Sequence, residues 1–315
     1  ESRGLGDVYK RQMSEDVKKI IVRSDNSEII PYTIENIPMY VKSERMSHYP
    51  TMTAMIHWHD DIEFIHVISG KMMYMVSDRL IEINQGDVIF VNTQQPHGHR
   101  HIEYEECIFN AVLIPTEVLK YPEPLIKKYV DSVFYDSKFA SFVFRKGDRG
   151  HAKLAKTIDD MVEKADIKED AYEFDMIACG YKLMAEIIKR LNCKGAEKIG
   201  VSPWADTLHK MIAFIQFNYK ETIKLEEIAE AGNVSRSQCC KIFKEIINRS
   251  PNDYLVEYRI DKSIDLIMKT DMKMTEIAYE CGFNGSSYFA ETFKKIVGVS
   301  PREYKNKEKK KCTTI

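Results

Sequence analysis

The stretch HWHDDIEFIHVISG sets two imidazoles, His57 and His59, two residues apart, with the carboxylate of Glu63 and then Gly70 farther along. A third imidazole, His97, follows Gly86 in GDVIFVNTQQPH. Three imidazoles and one carboxylate suit Fe, Mn, Zn or Ni and leave coordination positions open for a substrate. The same groups can instead line a pocket for an organic molecule without an ion, or serve plain structure. Residues two apart on an extended chain share a face, so the rings of His57 and His59 point to the same side. His66, His99 and His101 fall outside this spacing and are expected at the surface or rim.

These side chains need a rigid frame, and the chain around them reads as short strands. From about Ile29 to Leu113 the segments MYVKS, TAMIHWH, IEFIHVIS, KMMYMVS, RLIEI, DVIFVN and CIFNAVLI are separated by turn residues such as Ser69-Gly70 and Asn84-Gln85-Gly86-Asp87. Many short strands at regular spacing predict a β-sandwich or barrel. From about His151 to Leu191 the pattern turns helical, with Phe174, Ile177, Tyr181, Met184, Ile188 and Leu191 along one face. That stripe is expected to pair with its copy in a second subunit, to pack on its own barrel, or both. NCKGAEKIGVSP has no periodicity and reads as a linker, placed at residues 193–203.

From Trp204 onward everything reads as helix, and one phrase occurs twice: FKEIINRSPNDY from Phe243 and FKKIVGVSPREY from Phe293. Upstream of each lies Ile-Ala and, four residues after the Ala, a residue that tolerates positive φ: Asn233 after Ala229, Gly282 after Ala278. A tight turn between two helices needs such a residue, so each copy predicts a helix-turn-helix. The second helices carry apolar Cys239, Ile242 and Phe243, then Phe289, Phe293 and Ile296. Ser250-Pro251 and Ser300-Pro301 supply an N-cap and a first-position proline for the helices that follow. Glu303, three beyond Ser300, gives a capping-box spacing. A connecting helix of about 18 residues spans ~27 Å, which suits two recognition helices in neighbouring major-groove faces about 34 Å apart.

IAEAGNVSRSQCCKIFKEIINRSPNDY and IAYECGFNGSSYFAETFKKIVGVSPREY resemble the DNA-binding domain of AraC-type transcription regulators, over residues 204–305. The resemblance implies double-stranded promoter DNA as a partner, with the second helix of each unit in the major groove. Carried over by position, the groove-facing residues are Arg236, Ser237, Cys240 and Lys241, then Ser286, Ser287, Ala290 and Glu291. Asn233 and Asn248 stand where the first unit usually has Gly, and Asn also tolerates the left-handed region. Arg236 and Lys241 are expected to carry more of the affinity than the second helix, where Glu291 can accept from a cytosine N4.

The histidine segments resemble the two cupin motifs, in a barrel that commonly precedes the AraC-type domain. In metal-binding cupins the matching His57, His59, Glu63 and His97 would be ligands. Asn92 and Gln94 stand where Pro and Gly usually shape the second motif. That departure favours a metal-free pocket in which the four residues bind a small-molecule effector, and the resemblance suggests a sugar.

The expected fold is α+β multidomain. It comprises a cupin-like β-barrel over 13–150, a helical dimerisation segment over 151–192, the linker, an all-α double helix-turn-helix over 204–305 and a basic tail over 306–315. Residues 1–12, ESRGLGDVYKRQ, match a transposon-end sequencing adapter codon for codon and are expected to be an assembly artefact before Met13. Residues 13–203 carry 24 Lys and Arg against 30 Asp and Glu, and residues 204–315 carry 19 against 16. The basic half points to an anionic partner. Seven cysteines without a CxxC pair imply a reducing, cytoplasmic setting. In the pair Cys239-Cys240 the first reads as core rather than as a redox switch. No run approaches the ~20 apolar residues of a membrane helix, and no Ser-His-Asp order, P-loop or dinucleotide fingerprint occurs. The expected function is a bacterial, ligand-responsive regulator, homodimeric, with RNA polymerase as a candidate partner and neither enzymatic activity nor a cofactor. The alternative is a metal-dependent cupin enzyme or metal sensor fused to a DNA-binding domain.

Overall fold

A computed structural model describes residues 20, 21, 23, 27–119, 124, 139–191 and 198–312. Residues 1–12 and 193–197 of the sequence reading lie outside these. The strands are β1 (Tyr40–Arg45), β2 (Thr53–His57), β3 (Ile62–Ser69), β4 (Lys71–Val76), β5 (Arg79–Asn84), β6 (Val88–Val91), β7 (His97–His101), β8 (Ile108–Ile114), β9 (Ser141–Phe144) and β10 (Lys198–Ile199). They form two antiparallel sheets, ordered β1-β8-β3-β6-β9-β10 and β2-β7-β4-β5. Strand β7 escaped the sequence reading because HGHRH has no β-branched residue. Its register between β2 and β4 makes it a strand.

Alternation sorts the side chains. Ile65, Val67, Met72, Tyr74, Val76, Ile89, Val91 and Phe109 fill the space between the sheets. Phe64, Phe90, Val112 and Phe142 face outward from the larger sheet and are covered by helices α1 (His151–Ile167) and α2 (Tyr172–Leu191) through Leu154, Ile158, Met161, Leu183 and Ile187. Strand β3 is thus buried on both faces over most of its length because both are covered. The covering face of α2 is Met176, Cys179, Leu183, Met184 and Ile187, offset by one position from the stripe read in the sequence and sharing Met184 with it. Of that stripe Met184 is buried, Tyr181, Ile188 and Leu191 pack at the edge, and Phe174 is 77% exposed. The described part of the linker is tied down: β10 pairs with β9, and the Ser202 N–H donates to Ser77 Oγ at 2.8 Å.

The C-terminal half runs α3 (Ala205–Asn218), α4 (Leu225–Ala231), α5 (Arg236–Ile242), a π-helical turn over Phe243–Ile247, α6 (Pro251–Lys269), α7 (Met274–Glu280), α8 (Ser286–Val297) and α9 (Pro301–Cys312). The turns fall where the sequence placed them. Asn233 and Gly282 have φ of 59° and 79°, and at the ends of the units Asn248 and Gly298 have 56° and 82°. Ser250 Oγ accepts from the Asp253 N–H at 3.0 Å, and Ser300 Oγ from the Glu303 N–H at 3.3 Å, so both Ser-Pro steps cap helices. The halves share apolar surface: Ile56 and Met75 of the barrel pack with Leu208, Met211, Ile212 and Ile215 of α3. No helix among the described residues is long and apolar enough to cross a membrane.

Candidate functional site

Strands β2 and β7 lie side by side with His57 opposite His97, and the turn after β2 brings His59 alongside. The His97 ring is 4.3 Å from that of His57 and 4.7 Å from that of His59, centroid to centroid. All three are buried. Each Nδ1–H donates to a backbone carbonyl two residues away: His57 to Met55 at 2.8 Å, His59 to Asp61 at 2.9 Å, His97 to Gln95 at 2.8 Å. With Nδ1 engaged, the Nε2 lone pair is the free acceptor, and the ligand atoms of the three rings lie within 4.8 Å of one another. Glu63, on β3 of the facing sheet, completes the group. Its Oε2 is 3.1 Å from His97 Nε2, outside hydrogen-bond geometry, and 4.0 Å from His59 Nε2.

Burial, then the neighbouring imidazoles, lowers His57 well below the ordinary value and pulls His59 down to about 3. Burial also pulls on His97, but the facing Glu63 carboxylate carries it above the ordinary value. Burial pushes Glu63 up, and the three imidazoles, His97 first, outweigh it and hold the carboxyl well below its usual range. The centre therefore offers two neutral imidazoles, an anionic oxygen and a third imidazole whose protonated form that oxygen favours. The buried Nε2 atoms of His59 and His97 make no hydrogen bond. Buried polar atoms without partners are costly, and a cation would satisfy both, so the donor set fits a transition ion. The cavity beside the group measures about 30 Å³.

Two residues of this centre escaped the sequence reading. Tyr74 donates its hydroxyl to Glu63 Oε2 at 2.9 Å, and Glu28 Oε2 lies 3.4 Å from His57 Nε2. Glu28 arrives because its N–H donates to the Trp58 carbonyl at 2.7 Å, which lays the N-terminal segment along β2. No local pattern marked it, whereas the alternation of KMMYMV could have marked Tyr74 as inward-facing. Of the three histidines expected at the surface or rim, two are not there. His66 and His99 are buried: His66 Nδ1 lies 2.8 Å from Asp159 on α1, and His99 packs edge-on against Tyr49 and Phe109. His101 is half-buried and stacked on Tyr104. Short strands leave little rim, so a histidine on them faces the sandwich or a covering element.

In the other half, the eight residues carried over as groove-facing share the open side of their helices. Arg236, Ser237, Cys240, Lys241, Ser287 and Glu291 are exposed, and Ser286 and Ala290 half-exposed. Cys239, Phe243, Phe289 and Phe293 on the opposite side are fully buried. Arg236 Nη1 reaches Glu226 Oε1 at 2.6 Å, and Lys241 lies 3.8 Å from Glu245. Tyr288 is exposed on α8 beside Ser287 and was not among the eight.

A family model described as a helix-turn-helix domain matches residues 228–307, and one described as a cupin domain matches residues 48–114. The HTH-type transcriptional regulator YdeC of Bacillus subtilis (strain 168) is 26% identical over 296 residues, 92% of this chain and 99% of that protein. The HTH-type transcriptional regulator in the cgkA 5' region of Pseudoalteromonas carrageenovora is 31% identical over 129 residues, 41% of this chain and 75% of that protein. The melibiose operon regulatory protein of Escherichia coli (strain K12) is 22% identical over 298 residues, 89% of this chain and 93% of that protein.

Proposed function

The chain belongs to the AraC-type family of helix-turn-helix transcription regulators with a cupin domain ahead of the DNA-binding half, and from that premise we propose that α5 and α8 read neighbouring major grooves of promoter DNA while the barrel supplies the regulatory input. The observation that carries this reading is the split between the open and buried faces of the two helices. Helix α6 holds them apart: its 19 residues span ~28 Å at 1.5 Å each, near the roughly 34 Å between groove faces. Arg236, Ser237, Cys240 and Lys241 would contact bases and phosphates from the first unit, and Ser286, Ser287, Ala290 and Glu291 from the second. A homodimer would form on the flank of the helical pair that the barrel leaves open, where Ile167 and Phe174 are exposed.

His57, His59, Glu63 and His97 are the input in this reading. A sugar is suggested by likeness to a regulator named for the melibiose operon. A second reading, a metal ion at this centre, is favoured by the convergence of three Nε2 atoms whose Nδ1–H groups are all pinned. The cavity there, about 30 Å³, has room for an ion or a water and is far below the roughly 300 Å³ of a small organic-ligand pocket. When bound, the ion would supply a fixed positive charge between the sheets, with the three imidazoles and Glu63 as ligands.

Binding of labelled DNA from the chain's own upstream region tests the main reading. Site-specific affinity that falls steeply with salt is expected, and equal affinity for unrelated DNA would sink it. Elemental analysis of the purified chain tests the second. Near-stoichiometric Fe, Mn, Zn or Ni should be lost in His57→Ala while basal DNA binding persists. Metal-free protein whose DNA binding ignores added ions rules that reading out. A His57→Ala chain that does not fold makes the residue structural.

A further inference from the structure

A cavity of about 440 Å³ lies between the barrel and the DNA-binding half. Its floor is the outer face of the smaller sheet, with Met55, Met73, Met75 and Leu80. The outer face of an antiparallel sheet is ordinarily polar, and here it is apolar on one side of the very strand, KMMYMV, that buries Met72, Tyr74 and Val76 inward. Helix α3 covers Met75 and Ile56, while Met73 is half-buried and Leu80 exposed at the cavity. The roof comes from both helix-turn-helix units: Ile247 and Arg249 at the end of the first, Tyr254 and Glu257 from α6, and Lys295 and Ile296 from the last turn of α8.

The charges of this cavity are unbalanced. Arg249 is held by Glu257, Nε to Oε1 at 2.7 Å. Arg100, half-buried on β7, and Lys295, exposed on α8, form no ion pair or hydrogen bond among the described residues. Glu82, the other carboxylate of the lining, is exposed and pairs with neither. Burial, followed by the repulsion of Arg249, lowers Arg100 from its ordinary value. His101 adds a donor: its Nδ1 accepts from the Tyr104 N–H at 2.9 Å, so the neutral ring presents Nε2–H.

We propose that this interdomain cavity binds an organic anion with an apolar body, its carboxylate or phosphate held by Arg100, Arg249 and Lys295 and its body seated on Met55, Met73 and Leu80. Its size falls within the range of small-molecule sites, and methionine surfaces adapt to varied apolar shapes. Because the barrel and both helix-turn-helix units contribute walls, such a ligand has different contacts in docked and undocked arrangements. That difference is what allows it to shift the spacing of α5 and α8. The anion site itself does not depend on the regulator reading; the coupling to DNA does.

The test uses the full chain and three probes of one length: decanoate, decyl phosphate and decan-1-ol. Calorimetric titration without DNA should show at least one of the two anions binding tenfold or more tighter than the alcohol, and which of them binds identifies the head group. Arg100→Gln should weaken the anion about tenfold. Lys295→Gln, at an exposed position that does not threaten folding, should do the same. Met73→Trp, which fills the apolar end, should weaken all three probes. Alcohol and anions binding alike, anion binding indifferent to both charge variants, or no binding of any probe overturns the proposal. With DNA present, saturating anion should shift the DNA dissociation constant by a factor that DNA returns on the anion. Anion binding with no such shift would remove the coupling and leave the site.

Discussion

Replacing Gly282 by Ala measures how tightly the second helix-turn-helix is seated. Gly282 turns with φ of +79°, and a Cβ there would lie 2.5 Å from the Tyr219 carbonyl oxygen and 2.8 Å from that of Lys220. Both are backbone atoms of the turn after α3, so neither can swing aside. Arg259 braces the same turn, with Nε donating to the Tyr219 carbonyl at 2.7 Å and Nη2 to that of Glu221 at 2.6 Å. The left-handed conformation costs an alanine about 1–2 kcal/mol. Overpacking against fixed atoms adds about 1–3 kcal/mol, for roughly 2–5 kcal/mol in all. Asn233 holds the equivalent turn of the first unit at φ 59° and already carries a Cβ, so Asn233→Ala isolates the backbone part, at most about 1–2 kcal/mol. Urea unfolding of the two variants, followed by circular dichroism, gives both numbers, and a DNA titration shows whether α8 has moved. Equal costs for the two substitutions, or a neutral Gly282→Ala, would refute the close approach of this turn to residues 219–221.

Three further outcomes are expected. Arg236→Ala should cost about 1–3 kcal/mol of DNA affinity if the guanidinium leaves Glu226 to read a guanine, and Ser287→Ala much less; the reverse order in a binding titration overturns the ranking of the two units. Burial, then the charges of Arg100 and Arg249, pushes His101 down to about 4 from 6.5, in a cavity whose other charges are Glu82, Glu257 and Lys295. Between these pH values the unfolded chain binds a proton that the folded chain does not, so stability present above about 6.5 is lost as pH falls toward 4. His101→Gln should flatten that limb of a melting-temperature profile, and an unchanged limb counts against the assignment. Ser300→Ala should destabilise the last helix by about 1 kcal/mol through loss of its cap, read from the same urea curves, with no change in its DNA-contact surface.

What the amino-acid order alone determined was local. Strand alternation, the Asn and Gly that tolerate positive φ, the Ser-Pro caps and the His-x-His step each act within a few residues, so a short window carries them. The two turn positions, both caps and seven strands were legible for that reason. The side on which α2 docks was not, because several apolar faces of that helix are acceptable and the outer face of the larger sheet selects one. Strand β7 has no residue type that argues for a strand and exists through its neighbours' hydrogen bonds. Glu28 and Tyr74 reach the histidine centre only when segments far apart in the chain are laid together. Arg100, Arg249 and Lys295 are unremarkable as isolated letters. Tertiary packing alone gathers one from β7, one from the end of the first unit and one from α8 around a single cavity, because a charge acts through space and the chain does not record which distant residues it will face.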